Sequence, residues 1–261
     1  MPGKSRVRLA RTCLRVEDAA GLSAFYRTVM GMRPFESGEP PAWGYDPAGC
    51  LLELRDGATA PYRPGKRDLY WKIGVTVGHL DSAVAFLRRG GWPVSDPVQF
   101  RDIGYLCHLR DPAGFTIELL QRGFEGNEAP PPAGHPIGAQ ATLAHLTLRV
   151  ADLVAARAWC EDRLGLRLMS VQPVPDLGFT LYFYAWSDEP LPNPDLASVD
   201  NREWLWSRPY TLLELQHLED EPEIALPRVP AAGFDGLAYE SDDGVLNYIA
   251  APDLFANLRP L

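Results

Sequence analysis

One stretch of this chain occurs twice without gaps, and that repetition limits what the chain can fold into. The segment LARTCLRVEDAAGLSAFYRTVMGMR, which begins at Leu9, returns 134 positions later as LAHLTLRVADLVAARAWCEDRLGLR. Leu14 and Leu148, Arg15 and Arg149, Val16 and Val150, Asp18 and Asp152, and Gly31 and Gly165 superpose, and Phe25 meets the aromatic Trp159. Such a period marks copies of one supersecondary unit, so the unit must be read before the whole. Each copy opens on an alternating run that ends in Val and is followed by Asp, a good helix cap. Leu22, Phe25, Tyr26 and Val29 then recur at helical spacing, and a Gly stands where the helix should stop.

A third, weaker copy begins at Tyr70 with YWKIGVTVGHLDSAVAFLRRGGW; Asp81 is expected to cap its helix and Gly90-Gly91 to end it. It continues into YLCHLRDPAGFTIELLQRG, where Asp-Pro-Ala-Gly predicts a hairpin between two apolar strands. GFDGLAYESDD opens a possible fourth copy, but only 18 residues follow Asp243. That is too few for a helix and three strands, so the fourth module is expected to be incomplete.

With 261 residues the chain can hold two domains of about 125 residues each. The expected division is an N-terminal pair of modules over residues 1–124, a linker over 125–140, and a third module with the incomplete fourth over 141–261. The linker, EGNEAPPPAGHPIGAQ, is rich in Pro and Gly and has no periodicity. A second irregular stretch, SDEPLPNPDLASVDNREW, interrupts the third module and reads equally as a lid or a surface excursion. The formal charge of −9 excludes a phosphate-backbone partner, which needs a basic footprint. No apolar run reaches the roughly 18 residues of a membrane span, and the N-terminus lacks a signal peptide's apolar core. Cys13, Cys50, Cys107 and Cys160 are scattered without metal or redox spacing. A cytoplasmic protein with buried, reduced thiols is expected.

The chemistry-bearing signal is a Glu set inside an apolar strand three times over: Glu53 in CLLELRDG, Glu118 in FTIELLQRG and Glu214 in YTLLELQHL. Alternation turns each Glu away from its Leu or Ile neighbours. A buried carboxylate needs a cation, a metal or a hydrogen-bond network. The matching first-strand positions are Arg11, Lys72 and His145, with Gly236 or Asp235 in the fourth copy. If modules one and two pair, Arg11 and Lys72 meet Glu53 and Glu118, giving ion pairs and no metal in the N-terminal half. His145 and Glu214 suit a divalent metal (Zn, Ni, Fe, Co or Mn) in the C-terminal half. Further ligands could come from Glu118 if modules two and three pair, from Asp235 or Asn247, or from a symmetry mate in a homodimer. His108 reads as structural, His79 as a helix-cap residue, His135 as a solvated linker residue, and His217 as facing away from Glu214. No nucleophile elbow, phosphate loop or dinucleotide fingerprint is present.

The repeat, with FYRTVMGMR and the DPAGFTIELL strand pair, resembles the vicinal oxygen chelate superfamily, which includes glyoxalases, bleomycin resistance proteins and extradiol dioxygenases. The resemblance covers residues 8 to 122 and 141 to 217. It implies an α+β fold of tandem βαβββ modules forming curved mixed sheets around a cup. The third module, from LAHLTLRVAD to REWLWSRPYTLLELQH, is similar to the first module of glyoxalase I, lactoylglutathione lyase. That likeness implies His145 and Glu214 as metal ligands with Glu118, Glu214 or Glu118 as the proton-moving base through an enediolate, and Arg149, Phe179, Leu181 and Trp206 as substrate contacts. Leu218 departs from the family, standing where an Asn contacts glutathione. Two alternatives remain: a non-catalytic binding protein whose cup is lined by Trp186, Trp204 and Trp206, and a dioxygenase, which would need a second His and Glu from the fourth module. The expected partner is a small molecule, in a homodimer.

Overall fold

The computed structural model describes residues 7–35, 41–226 and 229–255. The first module runs β1 (Arg8–Val16), α1 (Ala19–Thr28), β2 (Arg33–Phe35), β3 (Ala42–Gly44) and β4 (Leu51–Asp56). The second has β5 (Tyr70–Val77), α2 (Leu80–Arg89), β6 (Val98–Phe100), β7 (Gly104–Arg110) and β8 (Thr116–Gln121). The third comprises β9 (Thr142–Val150), α3 (Leu153–Ala158), β10 (Arg167–Val174), β11 (Phe179–Ala185), α4 (Asn201–Trp206) and β12 (Leu212–Leu218). Among the described residues the fourth comprises β13 (Gly233–Glu240) and β14 (Leu246–Ala250), an antiparallel hairpin.

The repeated sequence folds alike each time. Asp18 accepts the Gly21 amide at 2.8 Å and Asp152 accepts the Ala155 amide at 2.9 Å, so both caps form. Leu22, Phe25 and Tyr26 of α1 are buried, and Gly31 and Gly165 end their helical stretches at positive φ. The third copy differs in one detail. His79, not Asp81, caps α2 by accepting the Ser82 amide through Nδ1, while Asp81 accepts the Tyr105 hydroxyl. Helix α2 starts one residue after His79, which puts Asp81 inside the first turn rather than before it.

Within each complete module the first and last strands run parallel: β1 with β4, β5 with β8, and β9 with β12. The first strand's other edge is then free to pair across modules, and that pairing corrects the expected one. Modules one and two do not share a sheet. The eight-stranded sheet has the order β10-β11-β12-β9-β5-β8-β7-β6, and the six-stranded sheet has β14-β13-β1-β4-β3-β2. Module two therefore joins module three through antiparallel β5 and β9, and module one joins the remnant through antiparallel β1 and β13. The eight-stranded sheet spans the two halves expected from the linker. Both inner first strands are covered by this order, with β1 and β5 buried along most of their length.

The core divides accordingly. A large apolar cluster packs helices and sheets together, drawing on Leu14, Phe25, Ile73, Leu87, Leu146 and Trp159. A second, smaller cluster of Ile103, Leu106, Leu120, Phe179, Leu181, Phe183 and Trp206 stands on the concave side of the eight-stranded sheet. The irregular insertion covers that sheet's edge at β10, with the Val171 amide donating to Leu196 O at 2.9 Å, and delivers α4 with Trp206 to the second cluster. The linker is also tied down: His135 Nδ1 accepts the amides of Ile137 and Gly138 and its ring meets Phe86 edge-on, so it is not merely solvated. All four cysteines are free and buried.

Candidate functional site

The second cluster lines a cavity of about 230 Å³ at the β5–β9 seam. Its walls are Trp71, Phe100, Ile103, Leu106, Leu120, Leu177, Phe179, Leu181, Phe183 and Trp206, and its polar members are Lys72, His108, Glu118, His145 and Glu214. The register explains the gathering. Lys72 lies opposite Thr147 and Gly74 opposite His145, while Glu118 sits beside Gly74 on β8 and Glu214 beside Thr147 on β12. All therefore project from one patch of the concave face. Gly74 is required there: a Cβ at this position would lie 1.9 Å from His145 Nε2.

The polar floor is buried and closely knit. Lys72, His145, Glu118 and Glu214 are all buried, with His145 and Glu214 only 1% exposed. Lys72 Nζ donates to Glu118 Oε2 at 2.5 Å, stands 3.8 Å from Glu214 Oε2 and lies 4.3 Å from the Trp71 ring centre. Thr147 Oγ1 donates to Glu214 Oε2 at 2.6 Å. His145 Nε2 is 3.2 Å from Glu118 Oε1 and 3.4 Å from Glu214 Oε2, but neither contact has hydrogen-bond geometry. Four buried polar atoms of the cavity consequently lack a hydrogen-bond partner: Nδ1 and Nε2 of His145, Nε2 of His108 and Oε1 of Glu214. Buried groups left in this condition point to a ligand or ion that completes them.

Burial alone would raise the Glu118 carboxyl, yet Lys72, with the His108 and His145 imidazoles, holds it well below the usual carboxylate range. The neighbouring cation and imidazoles thus outweigh the upward push of burial. A carboxylate held that low accepts protons poorly near pH 7, which weakens Glu118 as a general base.

The structure gathers some of the expected site residues at this cavity and sets others apart from it. Phe179, Leu181 and Trp206 line the cavity. Arg149 does not; it donates to Gln216 Oε1 and Gly65 O, and its guanidinium lies over the outer Trp71 ring at 5.3 Å. Trp186 packs against Tyr239 in the six-stranded sheet's neighbourhood, and Trp204 takes the Arg208 guanidinium, so neither lines the cup. His108, read as structural, stands at the cavity mouth with Nε2 3.1 Å from Glu118 Oε2. Its parity signals this, since His108 pairs directly with Glu118 across β7 and β8. His217 turns to Ala151 O, away from Glu214.

A divalent metal fits this donor set badly. Neutral imidazole and two carboxylates are acceptable ligands. The fourth corner, however, is an ammonium, which has no lone pair and already holds Glu118 Oε2. A dication placed there would compete with Lys72 for Glu118 while lying against its positive charge. Among the described residues no group of three or more His, Cys, Asp and Glu side chains is arranged to hold a metal ion. Asp235 and Asn247, the candidate donors of the remnant, lie in the other sheet.

At that other seam, Arg11 replaces Lys72, Glu53 replaces Glu118 and Gly236 stands where His145 does, with Cys13 opposite Gly236. Arg55 bridges Glu53 at 2.6 Å and Asp235 at 3.0 Å, and Arg15 holds Asp235 at 2.6 Å. This seam is an ion-pair network that runs from Arg11 through Glu53, Arg55 and Asp235 to Arg15.

The comparisons with known proteins agree with this architecture. The model of the Glyoxalase/Bleomycin resistance protein/Dioxygenase superfamily matches residues 8–119. A lactoylglutathione lyase of Arabidopsis thaliana is 24% identical over 202 residues, covering 72% of this chain, and one of Oryza sativa subsp. japonica is 25% identical over 208 residues, also 72%. The chain spans 65% and 64% of those two relatives' lengths. The crystal structure of glyoxalase I from Zea mays superposes with a TM-score of 0.62 over 89% of this chain and 74% of that one, at 19% identity, a likeness of fold. The family model thus matches residues 8–119, and the likeness of fold to glyoxalase I from Zea mays extends over most of the chain.

Proposed function

We propose that this protein binds a small organic molecule in the cup at the β5–β9 seam, without a resident metal. The observation that carries this reading is Lys72, whose ammonium stands 2.5 Å from Glu118 at the corner a metal would need. The walls support it as well. A cavity of about 230 Å³ exceeds the roughly 150 Å³ that accommodates a single benzene ring, so it suits one ring with a short substituent. Such a site combines an apolar body with a few fixed polar groups, the usual constitution of a small-ligand pocket.

Metal titration tests the reading. Calorimetry with Zn²⁺ and Ni²⁺ should show no stoichiometric site in the wild-type protein, whereas Lys72→His, which supplies a second imidazole, should gain one that a further His145→Ala change removes. Stoichiometric metal in the wild type that vanishes in His145→Ala would overturn it.

A second reading follows from the relatives named lactoylglutathione lyase: proton transfer on a hemithioacetal, with Glu214 as the base. Thr147 would orient Glu214, and Lys72 would face the developing enolate oxygen in place of a Lewis acid. Two features weigh against it. The proposed glutathione contact Arg149 is committed to backbone and Gln216, and the cup has room for only the reacting end of a tripeptide adduct. Formation of lactoylglutathione by the wild type and its loss in Glu214→Gln would establish this reading in place of the first.

A further inference from the structure

We infer that the cup selects an apolar amine: a ring-sized hydrophobic body carrying a protonated nitrogen that docks on Glu214. The inference rests on the metal-free binding reading and names the head group that the site would take. Two carboxylates and one ammonium make the floor, one carboxylate more than the ammonium can balance. Lys72 sits 2.5 Å from Glu118 and 3.8 Å from Glu214, so the excess belongs to Glu214. Of the Glu214 oxygens, Oε2 takes the Thr147 hydroxyl, and Oε1 has no donor at all. A buried carboxylate oxygen in that state asks for a donor, and a charged donor answers both the charge and the missing hydrogen bond. His145, equally buried and with both ring nitrogens unpartnered, offers the incoming group a second contact.

The walls favour the same head group. Trp71, Phe179, Phe183 and Trp206 surround the floor, and aromatic faces stabilise a cation that has left water. Lys72 already uses this on Trp71. An anionic head would meet the Glu214 carboxylate, whose neighbouring Lys72 ammonium is held closer to Glu118, and it would bring no donor for Oε1. A neutral hydroxyl would satisfy Oε1 but leave the charge.

Three probes of one shape separate these cases: benzylamine, benzyl alcohol and benzoate, titrated calorimetrically into the full chain. Benzylamine should bind about tenfold or more tightly than benzyl alcohol, as expected for a charged against a neutral hydrogen bond, and benzoate weakest of all. Glu214→Gln should abolish the advantage of the amine over the alcohol while the alcohol still binds. Leu181→Trp, which fills the cup, should remove all three and locate the site. Equal binding of amine and alcohol, or a preference for benzoate, would overturn the inference while leaving a binding cup intact. No binding of any probe by the folded wild type would overturn the binding reading itself, and this inference with it.

Discussion

The two seams of this protein are copies of one design put to different ends. At β5–β9 a glycine, Gly74, faces a histidine, and the floor beneath them is buried. At β1–β13 the order is reversed: Gly236 faces Cys13, and the imidazole is missing. The first seam keeps its ion pair under an apolar cup, whereas the second fills the same space with Arg11, Arg15, Arg55, Glu53 and Asp235 bridging one another. The same repeated carboxylate is thus a wall of a cavity in one place and a node of a salt-bridge network in the other. What separates them is desolvation, because an ion pair keeps unmet demand only where water and further partners are excluded.

The largest test of that contrast removes one cation from each seam. Lys72→Met leaves two buried carboxylates together and should destabilise by about 3–5 kcal/mol, read from the urea midpoint. Arg55→Met in the other seam, where the side chain is 32% exposed, should cost about 1 kcal/mol or less. Similar losses would mean that the two networks are equally solvated.

An identical turn sharpens the comparison. Asp-Pro-Ala-Gly occurs at Asp46 and at Asp111, and both carboxylates accept the amide two residues on. Asp46 is exposed, but Asp111 is buried and also takes the Tyr26 hydroxyl. Burial pushes the Asp111 carboxyl up to about 6. A carboxyl raised on folding stabilises most below its unfolded value near 3.9 and loses that contribution as pH rises through about 6. Asp111→Asn should therefore flatten the fall in stability between about pH 4 and 6 by roughly 2–3 kcal/mol in pH-dependent urea melts. An unchanged slope would sink the assignment to Asp111.

A smaller effect is expected from Gly74→Ala. The added methyl meets His145 Nε2 head-on, so the imidazole must turn, at about 1–3 kcal/mol of stability and with loss of ligand binding. Retention of full binding would show that His145 does not serve the cup.

Much of this was readable in the residues. The 134-residue repeat gave the βαβββ unit, the Asp caps and the positive-φ glycines, all of which depend on neighbours close in sequence. Strand parity likewise pointed the three Glu residues to one face. It could equally have flagged His108, which sits across from Glu118. The sequence offered both His79 and Asp81 at the α2 cap, and only the helix's true start, one residue after His79, decides between them.

The module order lay beyond local reasoning. Any first strand has one edge free, and nothing in a single copy says which other copy will cover it. The full set of edges decided it: β5 pairs with β9, leaving β1 for β13, the one strand the remnant retains in first position. That choice brought Lys72 into the company of His145 and Glu214 and placed Arg11 elsewhere. The sequence by itself determined the unit and the faces of its strands, through short-range hydrogen bonding and alternation. The tertiary structure alone decided which charges meet, because Coulomb and desolvation terms depend on distance and burial, not on position in the chain.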